Sequence, residues 1–202
     1  MNRLLLAATT CASLLLAGCA SEKNTPTDVT FDLGPTAATA APTSAPVGAV
    51  VVTDVTGSAA LDSEKMTYRL NYADALQARA YANSRWSATP LQLVTQRLKT
   101  RIAQAGIKVL SATDASAGIS ILRTEIDDFT HTFDSPLQSQ GQLVLRASLF
   151  QGHKLIDQKT FVRKTPAVTV NAAGGAYALS ASTDAVAADI VAWLATLPLK
   201  KE

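Results

Sequence analysis

The start of the chain most constrains what it can fold into. Met1-Asn2-Arg3 precedes an apolar run from Leu4 to Leu16, and Leu16-Ala17-Gly18-Cys19 closes it. One cation, a short apolar stretch and small residues before a cut site are the parts of an export signal. The run is 13 residues long, shorter than the ~20 that a spanning helix needs. Cys11 lies inside the signal, so removal of residues 1–18 leaves Cys19 as the sole cysteine. An exported domain with one thiol has no internal disulfide. It must be held together by an apolar core, and the 184 residues from Cys19 onward are enough to build one.

Leu16-Ala17-Gly18-Cys19 resembles the lipobox of bacterial lipoproteins. That resemblance implies cleavage after Gly18, diacylation of the Cys19 thiol and acylation of the new amine. Several acyl chains anchor firmly, since each buried CH₂ contributes ~0.8 kcal/mol and one chain alone is marginal. Ala20 and Ser21 follow the cysteine, so the Asp that retains enteric lipoproteins at the inner membrane is absent. The expected place is the outer membrane, lipid-anchored and facing the periplasm.

Loss of Arg3 lowers the formal charge from +2 to +1. A near-neutral chain without clustered cations argues against a nucleic-acid partner. Ser21 to Asp28 is polar and reads, with Cys19, as a lipidated tether over 19–28. Pro35 to Pro46 is an Ala/Thr/Pro/Ser stretch without periodicity, an extended segment inside a domain expected over 29–197, with 198–202 as a tail.

Val29, Phe31 and Leu33 alternate with polar residues, and Val47 to Val55 is a β-branched run. Both predict strands. Met66 to Asn71 alternates with Met66, Tyr68 and Leu70 on one face; a turn at Asn71 to Asp74 and a return over Leu76 to Tyr81 would make a hairpin. Thr89 and Pro90 are placed as N-cap and first helical residue, with Gln92 completing a capping box. Leu91, Val94, Leu98, Ile102 and Ala105 then share a helical face, and Gly106 is placed to end the helix.

Ile107 to Leu110 resumes as a strand. Ile119 to Phe133 reads as a long strand or two with Phe129, His131 and Phe133 on one face, and with a change of inward face between Ile121 and Leu122 that suggests a bulge. Leu143, Leu145, Ala147 and Leu149 alternate along the next strand. A turn at Gln151 to Lys154 leads into Leu155 to Arg163, completing an antiparallel meander. Gly174-Gly175 is expected to break the chain before a helix from Ala176 to Leu197, whose stripe is Leu179, Thr183, Val186, Ile190, Trp193 and Leu197. The expected fold class is α+β: a mostly antiparallel sheet of six to eight strands with two amphipathic helices on one face.

Catalytic frames are missing. There is no Gly-x-Ser-x-Gly elbow and no phosphate loop. His131 with Asp127, Asp128 and Asp134 falls short of a zinc ligand set, and on a strand these residues would have to converge over more than ~13 Å. Glu125, Asp127 and Asp128 are candidate carboxylates for glycoside hydrolysis, against the plainer reading of acids on a strand. His153 sits in a turn and reads as solvated. The expectation is no enzyme, no metal and no cofactor. Arg85-Trp86, just before the capped helix, has two readings: Trp86 is a core plug, or the pair is an exposed partner-binding anchor, since Trp and Arg are enriched in hot spots. Trp193 is expected in the core.

Phe31-Asp32-Leu33-Gly34-Pro35, Met66 to Leu70, Tyr81 through Arg85-Trp86 to Pro90-Leu91, Asp128-Phe129 with Phe133, and Ala192-Trp193-Leu194 stand in an order that resembles the ABC-type transport auxiliary lipoproteins of the paraquat-inducible C type. The resemblance covers about residues 29–197. It implies a non-catalytic lipoprotein that docks a periplasmic MCE-domain assembly at the outer membrane. Its expected partners are that MCE-domain protein and ABC-type or related inner-membrane components, in lipid transport between the membranes, with some members forming homo-oligomeric rings. The alternative is a free-standing structural or assembly lipoprotein of the envelope.

Overall fold

A computed structural model describes residues 27–36, 48–114 and 118–198. The export signal, Cys19, most of the tether, most of the Pro35–Pro46 segment and the last residues of the tail lie outside the described residues.

The order of elements is β1 (Val29–Phe31), β2 (Ala49–Val52), β3 (Thr56–Gly57), a 3-10 turn at Ala59–Leu61, β4 (Lys65–Leu70), β5 (Asp74–Trp86), α1 (Pro90–Gln104), β6 (Lys108–Leu110), β7 (Ile121–Ser135), β8 (Gln138–Gln151), β9 (Lys154–Pro166) and α2 (Ala172–Thr196). The fold is α+β, with one mixed sheet of nine strands. The count exceeds six to eight because a two-residue strand, β3, follows the strand expected over Val47 to Val55.

The longest ladders are the antiparallel pairings β7–β8 and β8–β9. The other edge of β7 is shared in series by three short strands, all parallel to it: β2 at Ile121–Leu122, β3 at Glu125–Ile126 and β4 at His131–Phe133. β6 lies parallel outside β2, β5 pairs antiparallel with β4, and β1 pairs parallel with β5.

Local chemistry accounts for the elements. At α1 both halves of the capping box form: Gln92 N donates to Thr89 Oγ1, and Thr89 N donates to Gln92 Oε1, each at 3.3 Å. Gly106 has φ +83°, the left-handed backbone expected after the helix. On β8, Leu143, Leu145, Ala147 and Leu149 are all fully buried. Burying a Leu side chain contributes about 1.5–3 kcal/mol, so this face holds β8 against the helices. The core joins them to Val94, Leu98 and Ile102 of α1 and to Leu179, Val186, Ile190 and Leu194 of α2.

Three local expectations need correction. On β7 the inward face does not change at Ile121. Leu122 and Ile126 point inward, Phe129 and Phe133 do so beyond them, and the register shifts between Ile126 and Asp128. Asp127 is the extra residue of that bulge, which turns its carboxylate outward to within 3.7 Å of Arg146. Gly174-Gly175 does not break the chain but lies in the first turn of α2, capped by Asn171, whose Oδ1 accepts from Gly174 N at 3.0 Å. A side chain at Gly175 would collide with the His131 ring, so glycine there permits close packing of helix on sheet. The hairpin strand expected to end near Tyr81 runs on to Trp86. α2 is long and apolar enough to cross a membrane by composition, but half of that stretch is buried in the domain, as in a core helix.

Candidate functional site

The first described segment, residues 27–36, pairs with β5 through β1 and, beyond that strand, is bonded by one buried cation. Arg97 lies on α1 between Val94 and Leu98, and its side chain is 5% exposed. Its Nη2 donates to the Leu33 carbonyl at 2.6 Å and to Ser180 Oγ at 2.8 Å; its Nη1 donates to the Gly34 carbonyl at 3.0 Å and to Thr36 Oγ1 at 2.8 Å. Its Nε lies 2.8 Å from Asp184 of α2 as an ion pair, without the alignment of a hydrogen bond. Arg101, one turn further along α1, grips both oxygens of Asp184 at 2.8 and 2.6 Å. Ser180 Oγ adds a second donor to the Leu33 carbonyl at 2.6 Å.

A planar guanidinium suits this position, because its fixed fork of donors matches several carbonyl and hydroxyl acceptors at once. Burial strengthens each bond, and every acceptor comes from the entering chain or from α2. The arrangement ties the segment after β1 to both helices at once.

Open grooves flank this segment. One of about 450 Å³ is lined by Phe31, Leu33, Pro35, Ala176, Tyr177 and their neighbours. Another, of about 490 Å³, lies on the sheet side and includes Asp28, Glu64, Lys65, Tyr81 and Arg85.

The sequence candidates are placed as follows. Trp86 is 1% exposed and packs on Phe129 with ring centroids 5.5 Å apart. The exposed-anchor reading therefore fails for Trp86, since strand alternation directs its side chain into the core. Arg85, its neighbour, points the other way, is exposed and reaches Thr30 Oγ1 at 3.5 Å. Trp193 is 5% exposed and donates from Nε1 to Asp157 at 2.8 Å. Cys19 lies outside the described residues.

His131 is fully buried. Its Nδ1 is 2.8 Å from the Tyr81 hydroxyl, and its ring stands against Phe133 at 4.4 Å between centroids. Burial pulls its pKa down to about 4, so the ring is neutral at pH 7. Burial also pushes the Tyr81 hydroxyl pKa upward, with a smaller contribution from Tyr68.

The acids near His131 in sequence, and Glu125 of the candidate carboxylates, are engaged elsewhere, with Asp127 3.7 Å from Arg146. Asp134 accepts from Asn71 and Gln140, Asp128 from Thr130 and Gln142, and Glu125 from Arg146. The structure does not bring them to the imidazole, and the described residues contain no group of three metal-ligating side chains.

Sequence reasoning missed the Arg97 junction. The signal was present in weak form: Arg97 adjoins the apolar stripe, Arg101 follows at one turn, and Asp184 follows Thr183 on the second stripe. What was missing was any sign that the two stripes face each other.

The family model described as ABC-type transport auxiliary lipoprotein component matches residues 31–191. A solved protein from Xanthomonas campestris is 15% identical, with a TM-score of 0.70 over 82% of this chain and 93% of that one. A second solved structure, of an uncharacterized protein, is 13% identical, with a TM-score of 0.65 over 83% of this chain and 99% of that one. At these identities the likeness is one of fold. Among curated proteins none matches the chain.

Proposed function

This chain belongs to the ABC-type transport auxiliary lipoprotein family, and from that premise we propose that it is a non-catalytic docking subunit. It is anchored through acylated Cys19 at the outer membrane and holds a periplasmic MCE-domain assembly of a lipid-transport system. The observation that carries the reading is the Arg97 junction. A lipid anchor attached to a loosely held terminus would tether the domain without orienting it. Here the chain entering from the tether is locked between α1 and α2 by Leu33, Gly34, Thr36, Ser180 and Asp184 acting on one guanidinium. Such a junction suits a subunit that must bear load between a bilayer and a partner. Arg85, exposed beside the groove that contains Asp28 and Glu64, is the residue we assign to partner contact.

The test is native co-purification of the lipidated protein with its MCE-domain partner and inner-membrane components, alongside separation of the two membranes by density. Recovery of that assembly, with the lipoprotein in the outer-membrane fraction, is the expected result. Recovery of the lipoprotein alone under mild extraction would sink the transport role. Its presence in the inner-membrane fraction would overturn the placement.

A further inference from the structure

Three chain reversals meet at one end of the sheet: the β4–β5 turn at 71–73, the β7–β8 turn at 136–137 and the β9–α2 loop at 167–171. They are bonded side by side. Asn71 N donates to the Phe133 carbonyl at 2.8 Å, Asn71 Nδ2 reaches Asp134 at 3.0 Å, and Ala167 N donates to the Ser139 carbonyl at 2.8 Å.

Each reversal has a large apolar side chain in solvent on it or close beside it: Leu76 is 93% exposed, Leu137 84% and Val168 96%, with Tyr72 and Val170 partly exposed next to them. The carboxylates at this end are occupied. Asp134 accepts from Asn71 and Gln140, and Asp74 accepts from Leu76 N. The β8–β9 reversal at the opposite end carries Gly152, His153 and Lys154, with only Leu155, 46% exposed, as a large apolar group beside them. Exposed apolar groups gathered at one end of a domain mark a contact with protein or membrane.

The direction of the entering chain selects between these. β1 is parallel to β5, with Val29 opposite Ser84. Thr27 and Asp28, just upstream of Val29, therefore lie toward the start of β5 and the β4–β5 turn, and Asp28 shares a groove with Ala80 and Ala82. From Cys19 to Asp28 there are nine residue steps, which span at most about 30 Å. The β4 strand, which runs to the same turn, is six residues long, about 20 Å. The described chain thus points from Val29 toward the apolar end, and the segment from Cys19 to Asp28 has length enough to reach it.

We propose that this end, through Leu76, Leu137 and Val168, rests in the phospholipid interface of the leaflet that holds the Cys19 acyl chains. The inference rests on the lipid anchor proposed above. It gives the domain a fixed orientation, with the β8–β9 reversal directed away from the bilayer.

The experiment uses the lipidated protein, purified from membranes and reconstituted in vesicles of phosphatidylethanolamine and phosphatidylglycerol. Acylation consumes the Cys19 thiol, so Leu137→Cys, Val168→Cys and His153→Cys each carry one free thiol for a polarity-sensitive fluorophore. All three sites are exposed, so labelling leaves the core alone. With nitroxide-bearing lipids in the vesicles, emission at 137 and 168 should be at least halved while emission at 153 stays nearly constant. Equal quenching at all three sites, or none at any, in protein that floats with the vesicles overturns the inference and leaves the anchor standing. Shielding of 137 and 168 from aqueous iodide without quenching by lipid overturns it in favour of a second copy or another protein on these loops. Absence of acyl chains on Cys19 by mass spectrometry overturns the anchor, and the inference with it.

Discussion

Arg97 Nη2 and the Leu33 carbonyl oxygen are 2.6 Å apart, across 64 positions of sequence. The carbonyl also accepts from Ser180 of α2, so the chain leaving the tether and both helices meet at one oxygen.

Removing Arg97 should therefore do more than delete a charge. Arg97→Met leaves the Leu33 and Gly34 carbonyls short of donors and strips one cation from Asp184. We expect a loss of about 3 kcal/mol, as when one partner of a buried ion pair is removed. Arg97→Lys restores the charge but not the fork, and should recover only part of that loss. Denaturant unfolding of the two variants measures both, and equal stability of Arg97→Met and wild type would remove the junction from the account.

The two residues of Arg85-Trp86 should separate cleanly. Trp86→Ala opens a cavity against Phe129 and should cost about 3–5 kcal/mol. Arg85→Ala, on the exposed side of the same strand, should stay within about 0.5 kcal/mol of wild type. If Arg85 contacts the partner, that variant weakens co-purification without lowering the melting temperature.

Gly175→Ala places a methyl group against the His131 ring. Overpacking of this kind costs about 1–3 kcal/mol. Shrinking the ring site should relieve it: Gly175→Ala combined with His131→Ala should be more stable than the sum of the two single losses implies. Strict additivity in that double-mutant cycle would show that the two positions do not press on each other.

The neutral His131 makes stability depend on pH. Its pKa falls from 6.5 in the unfolded chain to about 4 in the fold because burial disfavours the charged ring. Between these values the unfolded chain binds the extra proton, so acid favours unfolding. The contribution is fully present above pH 6.5 and is lost as pH falls toward 4, by at most about 3 kcal/mol. Urea midpoints from pH 7 to pH 4 should decline in wild type and decline less in His131→Phe.

Much of this fold is legible along the chain because its elements are signalled by neighbouring residues. Thr89, Gln92 and Gly106 mark the ends of α1, and the alternation of Leu143 to Leu149 marks β8, since caps and pleats act over a few residues. The Asp127 bulge was misplaced for a related reason. Alternation puts the change of inward face between Ile121 and Leu122, but the partner strand chooses the residue left out of register, between Ile126 and Asp128.

By itself the sequence determined that two apolar-striped helices exist and that three strands near the C-terminal end form a meander. Each follows from residue type and short-range periodicity. Tertiary structure alone decided that β2, β3 and β4 share one edge of β7 in parallel, and that Gly175 belongs inside a helix. It also decided that Arg97 reaches back to Leu33. Parallel pairing leaves no local turn to read, and a glycine pair is a break or a close contact according to what stands opposite it. An arginine beside an apolar stripe points to solvent unless another segment brings acceptors to meet it.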